Sequence, residues 1–167
     1  YHTRLVSRGI KRALLMADMP FMSYASGEAC LRNAARLMKE GGAEMVKLEW
    51  GELEIDMVAR LTECGIPVCA HLGLTPQAVH KFGGYRVQGR EEAAARKMKE
   101  DALALEQAGA DVLLLECVPT ALAAEITAAA SVPVIGIGAG PQVDGQILVL
   151  YAILDIAPGK RTRFSTN

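Results

Sequence analysis

Three features of the sequence predict an α/β fold, a (β/α)8 barrel represented by about six of its eight strand–helix units. Short apolar runs alternate with helical stretches along the chain, the pattern of a parallel sheet covered by helices. The connections from helix to strand are short and marked by Gly41-Gly42, Gly65 and Gly109. Polar residues recur at the C-terminal ends of successive runs: Asp18, Glu49, His71 and Glu116. In an open doubly wound sheet such residues would spread along an edge, and only those near the switch point would meet. In a barrel the strand ends converge on one mouth, so the barrel is favoured.

The elements follow in order. Residues 1–12 read as the end of a helix, with Leu5 and Val6 for apolar character and Gly9 as a stop. The apolar run Ala13–Ala17 is closed by Asp18-Met19-Pro20. Ser26-Gly27-Glu28 opens a helix that runs to about Lys39, a hydroxyl cap followed by an acidic first turn. Met45–Glu49 is the next strand, a helix spans about Glu54–Cys64, and Pro67–Leu72 is the third strand. Gly73–Arg90 is a long irregular segment, and loops of that length inside a compact domain are often functional. A charged helix of about Glu91–Ala108 precedes the fourth strand, Val112–Glu116, which Pro119 follows. A short helix at Ala121–Ala130, a fifth strand at Pro133–Gly138 and a sixth at Ile147–Leu150 complete the pattern. The basic tail starts at Pro158. Six strands in 167 residues fall short of a typical barrel of eight strands and ~250 residues. The expectation is a single domain over residues 1–167, incomplete at both ends, with its first strands and last helix absent.

Composition excludes several classes. The chain is 51% hydrophobic and 22% charged, enough to bury a real core. Lys and Arg number 18 against 19 Asp and Glu, so no basic excess points to nucleic acid or an anionic membrane. No apolar run approaches the ~20 residues that span a bilayer. Cys30, Cys64, Cys69 and Cys117 form no C-x-x-C pair and read as reduced, buried thiols of a cytoplasmic protein.

The strand ends carry the candidates for chemistry. Asp18 could ligate a hard divalent cation, or could simply be a turn residue. Lys47 and Glu49, two apart on a strand, point to the same side. They could hold an anionic substrate and a metal-bound water, or form a plain ion pair. His71 ends an apolar strand, either as a structural hydrogen-bonding residue or as part of the mouth; His80 and His2 have weaker claims. Glu116 is the most informative. Desolvation beside Val112-Leu113-Leu114-Leu115 would raise its pKa from ~4.3 towards ~6–7, the useful range for a general base. Alternatively it faces outward or favours the next helix N-terminus. Gly136-Ile137-Gly138-Ala139-Gly140 fails the G-x-G-x-x-G spacing, so it is weak evidence for a dinucleotide and reads as a close-packed strand end.

Taken together, several segments resemble the ketopantoate hydroxymethyltransferase family. They are Ala17–Met22, Met45–Glu49, His71–Gln77, Phe82–Arg90, Leu115–Pro119, Ile135–Gly140 and Asp144–Val149, in the family's order from residue 1 to about 164. The resemblance implies a (β/α)8 barrel enzyme of pantothenate biosynthesis that uses Mg²⁺. Its reaction moves a hydroxymethyl group from 5,10-methylenetetrahydrofolate to 3-methyl-2-oxobutanoate, giving 2-dehydropantoate through a metal-stabilised enolate. It further implies Asp18 as a metal ligand that touches substrate, Lys47 as a substrate-binding lysine, Glu49 as an acidic residue at the metal site and Glu116 as the base. His71 would support them from behind, and a homo-oligomer is expected.

Three departures from the family pattern accompany the match. The family's first two strands, with an Asp-Ser pair that serves metal and substrate, have no counterpart. Trp50 stands where glycine is usual and could crowd the mouth. Ala152 replaces an acidic residue at the end of the last strand. Two other readings stay open: a metal-dependent carbon–carbon lyase acting on another 2-oxo acid, and a non-catalytic incomplete barrel.

Overall fold

The computed structural model describes residues 1–49 and 51–156, with side chains for all of these except 51–53. The expectations for Trp50 and for the tail from Pro158 lie outside the described residues. Six strands form one parallel sheet in strict sequence order: β1 (Met16–Asp18), β2 (Met45–Glu49), β3 (Val68–Gly73), β4 (Val112–Glu116), β5 (Val134–Ile137) and β6 (Gly145–Gln146). Each strand pairs with the next, so among the described residues the order never reverses and no switch point occurs. That is the arrangement of barrel staves, and it excludes the doubly wound alternative.

Strand alternation divides the sheet into two faces. Val46, Leu48, Val68, Ala70, Leu72, Leu113, Leu115 and Val134 point outward into the main core. There they meet the apolar stripes of α2 (Gly27–Lys39), α3 (Gly51–Glu63), α5 (Glu92–Gln107) and α6 (Thr120–Ala129). The inner face carries a smaller apolar layer of Met45, Cys69, Leu114 and Ile137, flanked by Met16 and Val112. One step further along the same strands, that face turns polar. Asp18, Lys47, Glu49, His71 and Glu116 therefore share the inner side at its C-terminal end.

Local chemistry accounts for the boundaries. Ser26 caps α2, its Oγ accepting from the Ala29 N–H at 3.3 Å. At the opposite end of the sheet from the polar groups, the acidic residue before one strand accepts the backbone N–H that begins its neighbour. Glu44 takes that of Leu15 (2.9 Å), Asp111 that of Val68 (2.8 Å) and Asp144 that of Val134 (2.8 Å). This device satisfies donors that the ladder leaves open.

Four expectations need correction. The sixth strand is not Ile147–Leu150 but Gly145–Gln146, after which comes the short helix α7 (Leu150–Ile153). The partner strand β5 ends at Ile137, and the last backbone bond on that side runs from Ile147 N to Gly136 O, so the apolar run has nothing left to pair with. Ile147, Leu148, Val149 and Leu150 are exposed. Ala152 consequently lies in α7, not at a strand end. The segment Gly73–Arg90 is less irregular than expected: it holds a 3₁₀ turn at Pro76–Ala78 and the short helix α4 (Val79–Phe82). Cys64 is exposed and Cys117 half-buried, while Cys30 and Cys69 are buried. The first helix, α1 (His2–Gly9), ends at Gly9 as expected and buries none of its residues.

Candidate active site

Register brings the polar strand ends together. Asp18 on β1 lies opposite Lys47 on β2, Glu49 on β2 opposite His71 on β3, and Gly73 on β3 opposite Glu116 on β4. Lys47 is the hub. Its ammonium reaches Asp18 Oδ1 at 2.8 Å, Glu49 Oε1 at 2.9 Å and His71 Nδ1 at 3.1 Å. An ammonium has three hydrogens, and three acceptors surround it. Burial alone would lower the Lys47 pKa, but Asp18 and Glu49 outweigh it and raise the value, so the side chain is a cation at neutral pH.

The same contacts fix the state of His71. Lys47 can only donate, so Nδ1 accepts and the hydrogen sits on Nε2, which donates to Leu74 O at 2.8 Å. Burial, and then the Lys47 charge, push the imidazole down to about 3, so it is neutral throughout the physiological range. His71 is therefore a spacer and acceptor, not an acid. Its backbone N–H donates to the buried carboxylate of Glu54 on α3 (3.1 Å), which locks the strand from the helix side.

Glu116 stands apart from this ion-pair group. Among the described residues its contact at ion-pair range is His71, with Nε2 3.5 Å from Oε2. Because the Nε2 hydrogen is already given to Leu74 O, His71 lends the carboxylate little stabilisation. Burial, then the neighbouring charge of Glu49, raise the Glu116 carboxyl to about 7, with Lys47 opposing and Asp18 adding a little. Such a carboxyl is half-ionised near neutrality and can take a proton from carbon. Cys69, beneath the hub, is pushed up to about 12 by burial and stays a thiol. Cys117 is likewise raised, by burial and by Glu116, so neither thiol is a ready nucleophile.

Backbone conformation shapes the rim. Gly73 has φ +93°, and a Cβ there would lie 2.3 Å from Glu116 O. Only glycine lets β3 and β4 approach so closely. Leu74 N then donates to Glu116 O at 2.8 Å, tying the loop to the strand that ends in Glu116. Cys117, directly after Glu116, is a non-glycine residue at φ +50°, a costly conformation of the kind that collects at functional sites. Gly140 makes room for Thr120 at the start of α6, as expected of a close-packed strand end rather than a nucleotide loop.

Asp18, Lys47, Glu49, His71 and Glu116 are thus brought together, whereas His2 and His80 lie in α1 and α4 and enter none of the contacts just described. Two participants were not singled out from the sequence. The Gln77 backbone N–H donates to Glu49 Oε2 at 3.1 Å, and Tyr24 OH reaches Glu49 O at 3.1 Å. The available signal was Pro76, which starts the 3₁₀ turn and so aims the next N–H at an acceptor.

The donor set can be tested against a divalent cation. Mg²⁺ takes one or two carboxylates and fills its remaining positions with water and substrate oxygens. Asp18 is 53% exposed at the mouth and suits a direct ligand. Glu49 is 2% exposed with its oxygens engaged by Lys47 and Gln77, which suits an indirect role through water. Among the described residues no group of three or more His, Cys, Asp or Glu could hold a metal ion by itself. The residues present therefore fit Mg²⁺ held by Asp18 together with substrate, not a closed protein cage.

A family model described as ketopantoate hydroxymethyltransferase matches residues 1–167. The chain belongs to the ketopantoate hydroxymethyltransferase family. Within it, the chain is 65% identical over 167 residues to the 3-methyl-2-oxobutanoate hydroxymethyltransferase of Alkalilimnicola ehrlichii, covering all of this chain and 60% of that protein. It is 60% identical to the protein of the same name from Nitrosococcus oceani, covering all of this chain and 63% of that one. The chain thus spans 60–63% of the length of these curated relatives. Among solved structures, a protein assigned as a phosphonomutase from Burkholderia cenocepacia J2315 superposes with a TM-score of 0.60 at 19% identity, over 80% of this chain and 57% of that one. At that identity the likeness concerns the fold alone.

Proposed function

We propose that this ketopantoate hydroxymethyltransferase family chain carries the site that moves a hydroxymethyl group from 5,10-methylenetetrahydrofolate to 3-methyl-2-oxobutanoate, giving 2-dehydropantoate. The observation that carries the reading is Glu116, a carboxyl raised to about 7 beside a cationic lysine hub. The names of the relatives support the choice of oxo acid and of the group transferred.

The substrate's C3–H bond is weakly acidic because it adjoins a ketone. Glu116 accepts that proton as the C–H electron pair moves into the carbonyl, leaving an enolate. Lys47, held cationic by Asp18 and Glu49, offers positive charge to the developing oxyanion and the substrate carboxylate. Its hydrogens are committed, so substrate binding exchanges one partner. Asp18 is the partner to yield, since it is half exposed and Glu49 and His71 are each 2% exposed. Bound Mg²⁺, held by Asp18 and steadied through Glu49, would supply Lewis-acid polarisation of the ketone. Water supplies the hydroxyl oxygen: it adds to the folate's methylene carbon as both C–N bonds break, the two folate nitrogens keeping the bonding pairs and taking the two water protons. The enolate carbon forms its new C–C bond to that carbon at the formaldehyde level, and the resulting alkoxide takes the proton held by Glu116. General-base assistance is worth about 10²–10⁴-fold, so electrostatics and positioning carry the rest.

Folate, Mg²⁺, self-association and a cytoplasmic setting all belong to this proposal. Self-association draws support from the exposed apolar row Ile147 to Ile156. No helix among the described residues is long and apolar enough to cross a membrane. The test is formation of 2-dehydropantoate by residues 1–167. The expected result is product that requires both the oxo acid and the methylene folate. Turnover of the oxo acid with no folate present would overturn the reading in favour of lyase chemistry.

A further inference from the structure

One residue joins the loop after β3 to the ends of β1 and β2, which with β3 carry the lysine hub. Gln77 Nε2 donates to Met19 O, just beyond β1, at 2.9 Å. Its Oε1 accepts from Tyr24 OH at 2.9 Å, and its backbone N–H donates to Glu49 Oε2 at 3.1 Å. The Tyr24 hydroxyl also lies 3.1 Å from Glu49 O, so its single hydrogen serves the amide and the strand end together. Met19 is fully buried and Tyr24 is 8% exposed, so the anchors of this clasp are parts of the core.

The consequence falls on Lys47. Of its three acceptors, Asp18 is half exposed, whereas Glu49 and His71 are buried. Glu49 is held on both sides: Oε1 grips Lys47 and Oε2 is gripped by the loop. A carboxylate engaged at both oxygens cannot rotate about its last torsion, so the direction in which it holds the ammonium is set by the loop's position. That position depends on the Gln77 amide, because the N–H that reaches Glu49 is the residue's own. The start of the same loop donates from Leu74 N to Glu116 O at 2.8 Å. One loop therefore registers the lysine hub and the strand of Glu116 against each other.

We propose that Gln77, with Tyr24, is a positioning residue for Lys47, clasping Glu49 from the side opposite the ammonium so that the cation is fixed where substrate oxygens arrive. Neither residue touches the reacting atoms. The catalytic consequence rests on the hydroxymethyltransferase reading, while the clasp itself does not.

The test uses the full chain of residues 1–167, labelled with ¹⁵N and free of metal and substrate. A buried ammonium with three acceptors exchanges its hydrogens slowly, so Lys47 should give a resolved ¹H–¹⁵N signal, assigned by its disappearance in Lys47→Met. In Gln77→Ala that signal is expected to broaden into exchange with water while the backbone amide spectrum stays folded. Tyr24→Phe, which removes a single hydroxyl, should weaken it. Gln77→Glu, which keeps an acceptor for Tyr24, should fall between parent and Gln77→Ala. In exchange of the substrate C3 proton, kcat of Gln77→Ala should drop by about 10–100-fold with KM changed less than about threefold, the signature of lost positioning. A folded Gln77→Ala that keeps both the Lys47 signal and kcat overturns the clasp. Should Gln77→Ala fail to fold, the same two readouts on Tyr24→Phe decide, and unchanged values for both overturn it. Loss of the signal in Gln77→Ala from a parent that exchanges no substrate proton would uphold the clasp and sink the hydroxymethyltransferase reading instead.

Discussion

Glu116 shows how little local sequence determines a side chain's chemistry and how much its neighbours do. Burial on the inner face, which Leu114 shares, supplies the desolvation, but the outcome depends on which cation reaches the carboxylate. Lys47 is committed to Asp18, Glu49 and His71, and His71 spends its one ring hydrogen on Leu74 O. Among the described residues Glu116 is left without a charged hydrogen-bond donor, and its carboxyl rises to about 7. That displacement acts on stability as well. The folded pKa lies above the ordinary value of 4.5, so the folded state keeps a proton that the unfolded chain releases, and stability falls as pH rises from about 4.5 through about 7. Glu116→Gln should therefore be more stable than the parent above pH 7, with the gap closing towards pH 4.5. Chemical denaturation at both pH values checks it, and a gap that does not change between them would contradict the assignment. His71 has the opposite linkage: its value is depressed to about 3, so its contribution is present above about 6.5 and is lost as acid approaches 3.

At the scale of elements, the β3–β4 pair builds the site. Its apolar outer residues fix the register, and the register sets Gly73 against Glu116. The approach is so close that a Cβ at Gly73 would lie 2.3 Å from Glu116 O, at a φ of +93° that side chains rarely adopt. Gly73→Ala should cost about 2 kcal/mol or more, through backbone strain and the clash together. Thermal or urea unfolding measures this, and a loss below about 0.5 kcal/mol would mean that the strands are not held as described. Most element positions were legible because apolar period and punctuation agree: Met45–Glu49 and Val112–Glu116 have the expected bounds, and Ser26 caps α2 as its sequence suggests. The misplaced sixth strand has a physical cause. Ile147–Leu150 is as apolar as a buried strand, but a strand also needs a partner, and β5 has already ended. Hydrophobic pattern does not encode the length of the neighbouring strand.

For the whole molecule, the decisive fact is the strand order, six parallel staves without reversal. Polar residues 98 positions apart in the chain, Asp18 and Glu116, come to share one inner face only because each stave sits beside the next. Asp18, Glu49, His71 and Glu116 could be picked from the sequence since each is a polar group closing an apolar run, and Lys47 since it lies two residues before Glu49 on the same side of its strand. Gln77 and Tyr24 could not, because they act through contacts 28 and 25 residues distant that no periodicity marks. Nor could the tautomer of His71, which follows from the lysine beside it. The account's central claim is that this convergence makes Glu116 a base for carbon acids. Exchange of the C3 proton of 3-methyl-2-oxobutanoate in D₂O, with Mg²⁺ and without folate, tests it most directly, for the parent and Glu116→Gln across neutral pH. The parent's rate should rise with pH and level off above about 7, and Glu116→Gln should be at least about 10²-fold slower. A Glu116→Gln chain that exchanges the proton at the parent's rate would contradict the claim.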